Sequence, residues 1–235
     1  MIPARDRFQT GSAGYALDEG LRAHMLRIYN YMGIGLAVTG IVAMLVAATP
    51  ALYVPIFSTP LKWVVMLAPL GFVMFLSFRI ERISGGTAQL LFWVFCTLMG
   101  LSLASVFLVF TGTSIARAFF GAAAMFAAFS LYGYTTKRDL TQFGSFLMMG
   151  LIGVVIASVI NIFLGSSALQ FAISIIGILV FVGLTAWDTQ SIKLQYAEHH
   201  DGETRQKLAV MGALSLYLNF VNIFQLLLSL TGERE

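Results

Sequence analysis

The sequence predicts an all-α, polytopic membrane protein with seven transmembrane helices, and three observations lead there. Hydrophobic residues make up 58% of the 235 and charged residues only 11%, with a mean hydropathy of +0.85, which no soluble core requires. Crossing about 30 Å of hydrocarbon takes roughly 20 apolar residues. Seven stretches approach that length, near 28–49, 61–79, 87–110, 115–134, 143–164, 169–190 and 208–230. Arginine and lysine, finally, are concentrated on alternate connections between these stretches, as the positive-inside rule expects of a multi-pass chain.

The elements follow in order. Residues 1–27 carry Arg5, Arg7, Arg22 and Arg27 with Asp6, Asp18 and Glu19 and no apolar run ahead of them. This reads as a cytoplasmic N-terminal segment, and the first span serves as the insertion signal. Residues 28–230 form one membrane domain whose short connections leave no room for a soluble module, and 231–235 form a short tail. Pro69 falls inside the second span, where it removes a backbone hydrogen bond and favours a kink. Gly85 and Gly86 predict a tight turn into the third span, too weak a signal for phosphate binding. Cys96, the single cysteine, has no disulfide or zinc partner and reads as a small buried hydrophobe. Small residues pair at helix-packing intervals, Gly33 with Ala37, Gly121 with Met125, Gly150 with Val154 and Gly153 with Ala157, the expected spacing for close contact in a bundle. Val159–Phe163 echoes Phe220–Phe224, but seven helices do not halve and one echo is no transporter repeat.

The charge distribution sets orientation. Arg79 and Arg82, Lys137 and Arg138, and Lys193, Arg205 and Lys207 follow the second, fourth and sixth spans, whereas residues 50–60, 111–114 and 165–168 carry no arginine or lysine. The N-terminus and the even-to-odd connections are therefore expected in the cytoplasm. The formal charge of +3 reports topology, and nucleic acid is not an expected partner. A seventh span that crosses fully places the tail outside; a re-entrant one returns it.

Asp188 closes the sixth span. A carboxylate so close to hydrocarbon costs a few kcal/mol unless it is protonated, paired or wetted, which makes it a candidate functional residue. The competing reading is a solvated carboxylate in the last turn of its helix. Thr185 precedes it by three residues, and the seventh span carries Ser215, Asn219 and Asn222 at i, i+4 and i+7, one polar stripe on an apolar helix. Two such stripes are expected to face and satisfy one another, since lipid offers no partners. Counting eleven residues from Leu208 puts Asn219 about 16 Å along its helix, so Asp188, Asn219 and Arg79 all fall in the cytoplasmic half of the bundle. Asn219 and Asn222 also fit a purely structural role between helices, and Arg79 that of a topology anchor.

Thr136-Lys137-Arg138-Asp139-Leu140 after the fourth span, Trp187-Asp188-Thr189-Gln190-Ser191-Ile192 at the end of the sixth, and Ala213–Phe224 in the seventh together resemble the Bax inhibitor-1, or transmembrane Bax inhibitor motif, family. The resemblance covers essentially the whole chain. It implies six helices around a central seventh and, for some members, a pH-sensitive calcium leak. In those members two aspartates, on the sixth and seventh helices, share a proton beside an arginine at the cytoplasmic end of the second. Asp188 matches the first aspartate and Arg79 the arginine, whereas the second position is Asn219. An amide keeps the hydrogen bond but never ionises, so the coupled titration of two carboxylates is lost. With Arg79 adjacent, ionised Asp188 would make a nearly neutral site with little attraction for a divalent cation.

Two functions follow as expectations: a passive, pH-influenced ion leak, with calcium as a conducted ion and no cofactor, or a non-conducting modulator that binds a membrane protease or a cell-death or stress regulator. An enzyme is not expected. An intramembrane aspartyl protease needs two membrane carboxylates, and the three histidines, His24, His199 and His200, lie outside the apolar runs. Glu198-His199-His200-Asp201 reads as a solvated loop in preference to a metal site.

Overall fold

The computed structural model describes the backbone of residues 4–196 and 201–233, with side chains from Glu19 onward. Among the described residues the chain is helical throughout: α1 (Ala4–Ala47), α2 (Pro50–Phe57), α3 (Leu61–Arg79) with a 3-10 turn (Ile80–Arg82), α4 (Gly85–Val109), α5 (Gly112–Thr135), α6 (Thr141–Leu164), α7 (Ser167–Gln195) and α8 (Gly202–Thr231). Seven of these helices are long and apolar enough to cross a membrane.

Local chemistry sets the helix ends. Ser84, Thr111, Ser166 and Asp201 sit at N-caps, and each side chain accepts a hydrogen bond from the amide three residues on, that of Thr87, Ser114, Leu169 and Thr204. Such caps satisfy backbone donors that the helix itself leaves orphaned. Gly165 ends α6 with φ of 59°, a left-handed conformation that glycine adopts without steric penalty. Gly85 and Gly86 form the first turn of α4 behind the Ser84 cap, so the predicted turn lies one residue earlier.

Two features add to the expected plan. Helix α1 runs unbroken from Ala4 to Ala47, through residue 27. Helical backbone tolerates isolated charges at the membrane surface, where they snorkel. The connection 50–60 contains α2, whose proline at the first helical position is preset for helix. Its eight residues span only about 12 Å, too short to cross. Helix α3 continues through Pro69.

Packing separates an interior pair from a lipid-facing shell. Helix α8 packs against α1, α4, α5 and α7, while α7 also packs against α5 and α6. In the most apolar windows of α7 and α8, 56% of residues are buried, against 11% in α3 and α6. The seventh span is central, as the resemblance implies, and the sixth shares the interior with it. Helix α3 rests mainly on α4, and α6 on α7. Their outer faces display Phe78, Ile162 and Phe163, a proper match to hydrocarbon.

Helix α8 runs the full height of the bundle. Its 30 residues extend about 45 Å. Beyond its end the Thr111 amide donates to the Glu233 carbonyl at 3.1 Å and the Glu233 amide to Ser114 Oγ at 3.0 Å. The tail therefore meets the α4–α5 connection, on the face opposite the α7–α8 connection, and the re-entrant alternative does not apply.

The close helix contacts use only some of the glycines that the spacing suggested, and others besides. A Cβ on Gly33 or Gly153 would meet nothing within 4 Å, while one on Gly133 would strike the Ala186 carbonyl and one on Gly144 the Trp187 ring. Gly150 and Gly121 do face neighbours, Val180 of α7 and Leu227 of α8. Interval alone cannot tell the lipid-facing side of a helix from the buried one.

Candidate functional site

The two central helices are joined at the polar stripe. Asn219 Nδ2 of α8 donates to Asp188 Oδ2 of α7 at 2.6 Å; Asn219 is buried and Asp188 half-buried. With Asp188 ionised such a bond is charge-assisted, the strong form of side-chain hydrogen bond. It satisfies one carboxylate oxygen in a region where lipid would satisfy none.

Asp188 lines a cavity of about 90 Å³ together with His24 of α1, Ser191 and Gln195 of α7, and Leu208, Met211 and Ser215 of α8. That volume holds a few waters. From Asp188 to Gln195, and from Ser215 back to Leu208, the lining runs seven residues along each helix, about 10 Å. The cavity thus extends from the α7–α8 connection inward to Asp188. Ser215 stands in its wall one turn short of Asn219.

Other expected members of the stripe point elsewhere. Thr185 is fully buried and its hydroxyl donates to the Phe181 carbonyl at 2.8 Å, one turn back on its own helix. Asn222 Nδ2 likewise donates to the Leu218 carbonyl at 2.8 Å. Both satisfy themselves locally, a habit of short polar side chains that periodicity does not reveal. Asn161, at the corresponding place in the sequence echo, instead ties the α6–α7 turn through Ser166 and Gln170.

Arg79 does not join the site. Its side chain is exposed, and its guanidinium lies 6.0 Å from the ring centroid of Phe75. Its helix packs on α4 rather than on the α7–α8 pair. None of the lysines and arginines whose side chains are described forms a salt bridge with Asp188. The nearly neutral pair expected from the sequence is therefore absent, and ionised Asp188 places a negative charge on the cavity wall. The titratable neighbour is instead His24, buried and packed 5.3 Å from the Tyr196 ring. Sequence reasoning missed it by starting the first span at residue 28.

Three further polar links bear on the site. Tyr29 Oη, Ser130 Oγ and Thr189 Oγ1 form a chain with spacings of 2.7 and 3.0 Å, and Thr189 donates to the Thr185 carbonyl at 2.7 Å. This connects α1 and α5 to the residue next to Asp188. Fully buried Tyr217 pairs with Thr39 Oγ1 at 2.6 Å, and that hydroxyl donates to the Cys96 carbonyl at 2.9 Å. Gln190 joins two of the motifs quoted above, its Oε1 accepting from the Leu140 amide at 2.8 Å and its Nε2 donating to the Arg138 carbonyl at 2.7 Å. Within the segment so held, Thr141 donates from its side chain and its amide to exposed Asp139, holding that carboxyl below its ordinary range. Lys193 completes the clamp by donating to the Tyr134 carbonyl at 2.9 Å.

No group of three histidine, cysteine, aspartate or glutamate side chains converges on a metal position among the described residues. Glu198, His199 and His200 lie outside them, and Asp201 caps α8.

Comparison with known proteins matches this architecture. The family described as Inhibitor of apoptosis-promoting Bax1 matches residues 21–235. An uncharacterized protein of Rickettsia prowazekii is 47% identical over 235 residues, covering 100% of both chains. Inner membrane protein YbhL of Escherichia coli K12 is 42% identical over 233 residues, 98% of this chain and 100% of that one. An uncharacterized membrane protein of Streptococcus pyogenes is 33% identical over 220 residues, 93% of this chain and 96% of the relative. A family match through all seven spans, with full-length relatives that keep the same extent, places this chain in the Bax inhibitor-1 family of membrane proteins.

Proposed function

We propose that the chain is a passive ion leak in which the Asp188–Asn219 pair closes the path between α7 and α8. The observation that carries this reading is the hydrogen bond joining the two interior helices beside a polar cavity. A membrane-embedded carboxylate that faces a hydrated cavity marks an ion path more often than a structural post. Without Arg79 beside it, an ionised Asp188 attracts cations, and calcium is the proposed conducted ion. Asp188 is the one carboxylate at the pair, so pH acts on the leak through its single protonation. The basic connections support a cytoplasmic N-terminus and cavity mouth, and the name of the Escherichia coli relative suggests an inner membrane.

The test is calcium and monovalent flux into liposomes containing wild type, Asp188→Asn or Asn219→Asp. A leak predicts flux without partners, a changed pH profile in Asp188→Asn, and pH-gated calcium flux in Asn219→Asp. Flux that Asp188→Asn leaves unchanged at every pH overturns the reading. Wild type that carries no ion at any pH favours a non-conducting modulator instead.

A further inference from the structure

We propose that the groove between α1 and α5 binds one anionic phospholipid, with an acyl chain along the groove and the phosphate at Arg22. Helices α1 and α5 both pack on α8 but not closely on one another along their length. The space between them is about 470 Å³, within the range of small-molecule sites. Its walls are largely apolar, with Met25 and Leu26 on one side and Phe126 and Leu131 on the other.

The direction of the groove selects an amphiphile. Arg22 and Tyr29 line it on α1 and are seven residues apart, about 10 Å; Phe126 and Tyr134 line it on α5 and are eight apart, about 12 Å. Arg22 lies just ahead of the apolar run that starts near residue 28, and Tyr134 near the end of Gly112–Thr135. The polar end of the groove is therefore at the membrane surface and its far end is in hydrocarbon, the layout of a phospholipid.

Charge then selects the headgroup. In a bilayer the apolar walls give little preference for one lipid over another, because hydrocarbon surrounds the helices everywhere. Selectivity falls to the mouth, where Arg22 is exposed and forms no salt bridge among the described residues. A second cation stands close by, Lys193 Nζ being 5.1 Å from the centroid of the Tyr134 ring that lines the groove. Glu19, one turn nearer the surface on α1, is not part of the lining. Of the hydroxyls in the groove, those of Tyr29 and Ser130 already bond one another and ask nothing of an occupant, and Tyr134 belongs to the end nearer the mouth. Basic residues between transmembrane helices at a membrane surface recognise anionic headgroups in this way.

The experiment uses the full chain purified in detergent, offered equal amounts of palmitoyl-oleoyl phosphatidylglycerol and phosphatidylcholine, with retained lipid read by native mass spectrometry. Wild type is expected to retain phosphatidylglycerol at least about fivefold over phosphatidylcholine, and Arg22→Gln to bring that ratio close to one. Ala127→Trp, which fills the groove from an exposed position, is expected to lower retention of both lipids. Arg117→Gln, near the other end of α5, should keep the wild-type ratio. Equal retention of the two lipids by wild type, an unchanged ratio in Arg22→Gln, or the same loss in Arg117→Gln overturns the site, as does phosphatidylglycerol retained by folded Ala127→Trp. A wild type that shows no lipid preference leaves a protein helix as the groove's occupant. Because Arg22→Gln changes an exposed side chain, its result decides even if the tryptophan variant does not fold. No ion flux is measured, so this site and the proposed leak stand or fall separately.

Discussion

Asn219 donates its side-chain amide to Asp188 across 2.6 Å, and this bond joins the two helices that form the interior of the bundle. Removing the donor in Asn219→Ala leaves a half-buried carboxylate short of a partner. Losses of this kind cost about 1–3 kcal/mol in water-soluble proteins, and roughly half that inside membranes, where the unfolded helices also find partners. The expected result is a melting temperature in detergent lowered by a few degrees, with helicity retained. An unchanged melting temperature would show that water replaces the amide without loss.

Asn219→Asp tests the electrostatics of the same pair. Two ionised carboxylates at this spacing repel, while a single shared proton restores a hydrogen bond. The variant is therefore expected to be less stable than wild type near neutrality, and the gap should narrow as pH falls from about 8 to about 5. Thermal melts of both proteins across that range provide the check, and a gap that widens in acid would contradict the close approach of the two side chains.

How much of this arrangement was legible in the sequence depends on the residue. Apolar length and loop charge fixed seven spans, and the i, i+4, i+7 spacing correctly aimed Asn219 at the helix of Asp188. That spacing also put Asn222 on the stripe, and the three-residue step from Asp188 put Thr185 there, but both side chains turn back to carbonyls of their own helices. Arg79 was drawn to the site by its depth in the bundle and by resemblance, and the packing of α3 on α4 keeps it away. His24 was passed over because charged residues around it hide the start of the span. Gln190 stood inside a quoted motif without a role, since its partners are backbone atoms of Arg138 and Leu140, and backbone groups leave no mark on side-chain pattern.

Gln190 gives a prediction of its own. Its amide fills both a donor and an acceptor position in the loop between α5 and α6. Gln190→Glu preserves the acceptor toward the Leu140 amide but sets an oxygen against the Arg138 carbonyl. Both this variant and Gln190→Ala should free the loop, and trypsin should then cut after Lys137 or Arg138 several times faster than in wild type. A local opening costing about 1–3 kcal/mol accounts for that acceleration when cleavage follows the population of the open form. Equal cleavage rates in detergent would mean that Lys193 and Asp139 hold the segment without Gln190.

The glycine contacts predict opposite effects from the same chemical change. In Gly133→Ala the new methyl group would strike the backbone of Ala186, meeting both its carbonyl oxygen and its carbonyl carbon. Backbone cannot turn aside as a rotamer can, so α5 and α7 must separate, at about 1–3 kcal/mol or more. Gly153→Ala adds a methyl group where nothing lies within 4 Å and should stabilise α6 by about 0.5–1 kcal/mol through helix propensity. Melting temperatures of the pair should move in opposite directions.

Thr39 and Tyr217 provide a test in which direction and order are both fixed by counting protons. Thr39 has one hydroxyl proton and donates it to the Cys96 carbonyl, so in the 2.6 Å contact with Tyr217 it accepts, and Tyr217 is the donor. Tyr217→Phe removes that donor, while Thr39 keeps its bond to the carbonyl, so the expected cost is about 0.5–1.5 kcal/mol. Thr39→Val keeps the volume but removes both bonds and strands the hydroxyl of Tyr217, a fully buried residue whose ring packs against Phe92 and Phe95. An unsatisfied buried donor costs about 1–3 kcal/mol, so Thr39→Val should be the more damaging change. Once Tyr217 is phenylalanine there is no hydroxyl left to strand, and Thr39→Val should then cost less than it does alone. The double-mutant cycle, read from unfolding in detergent, should give a coupling of about 0.5–2 kcal/mol; strict additivity would mean that the two hydroxyls do not share a bond in the folded protein.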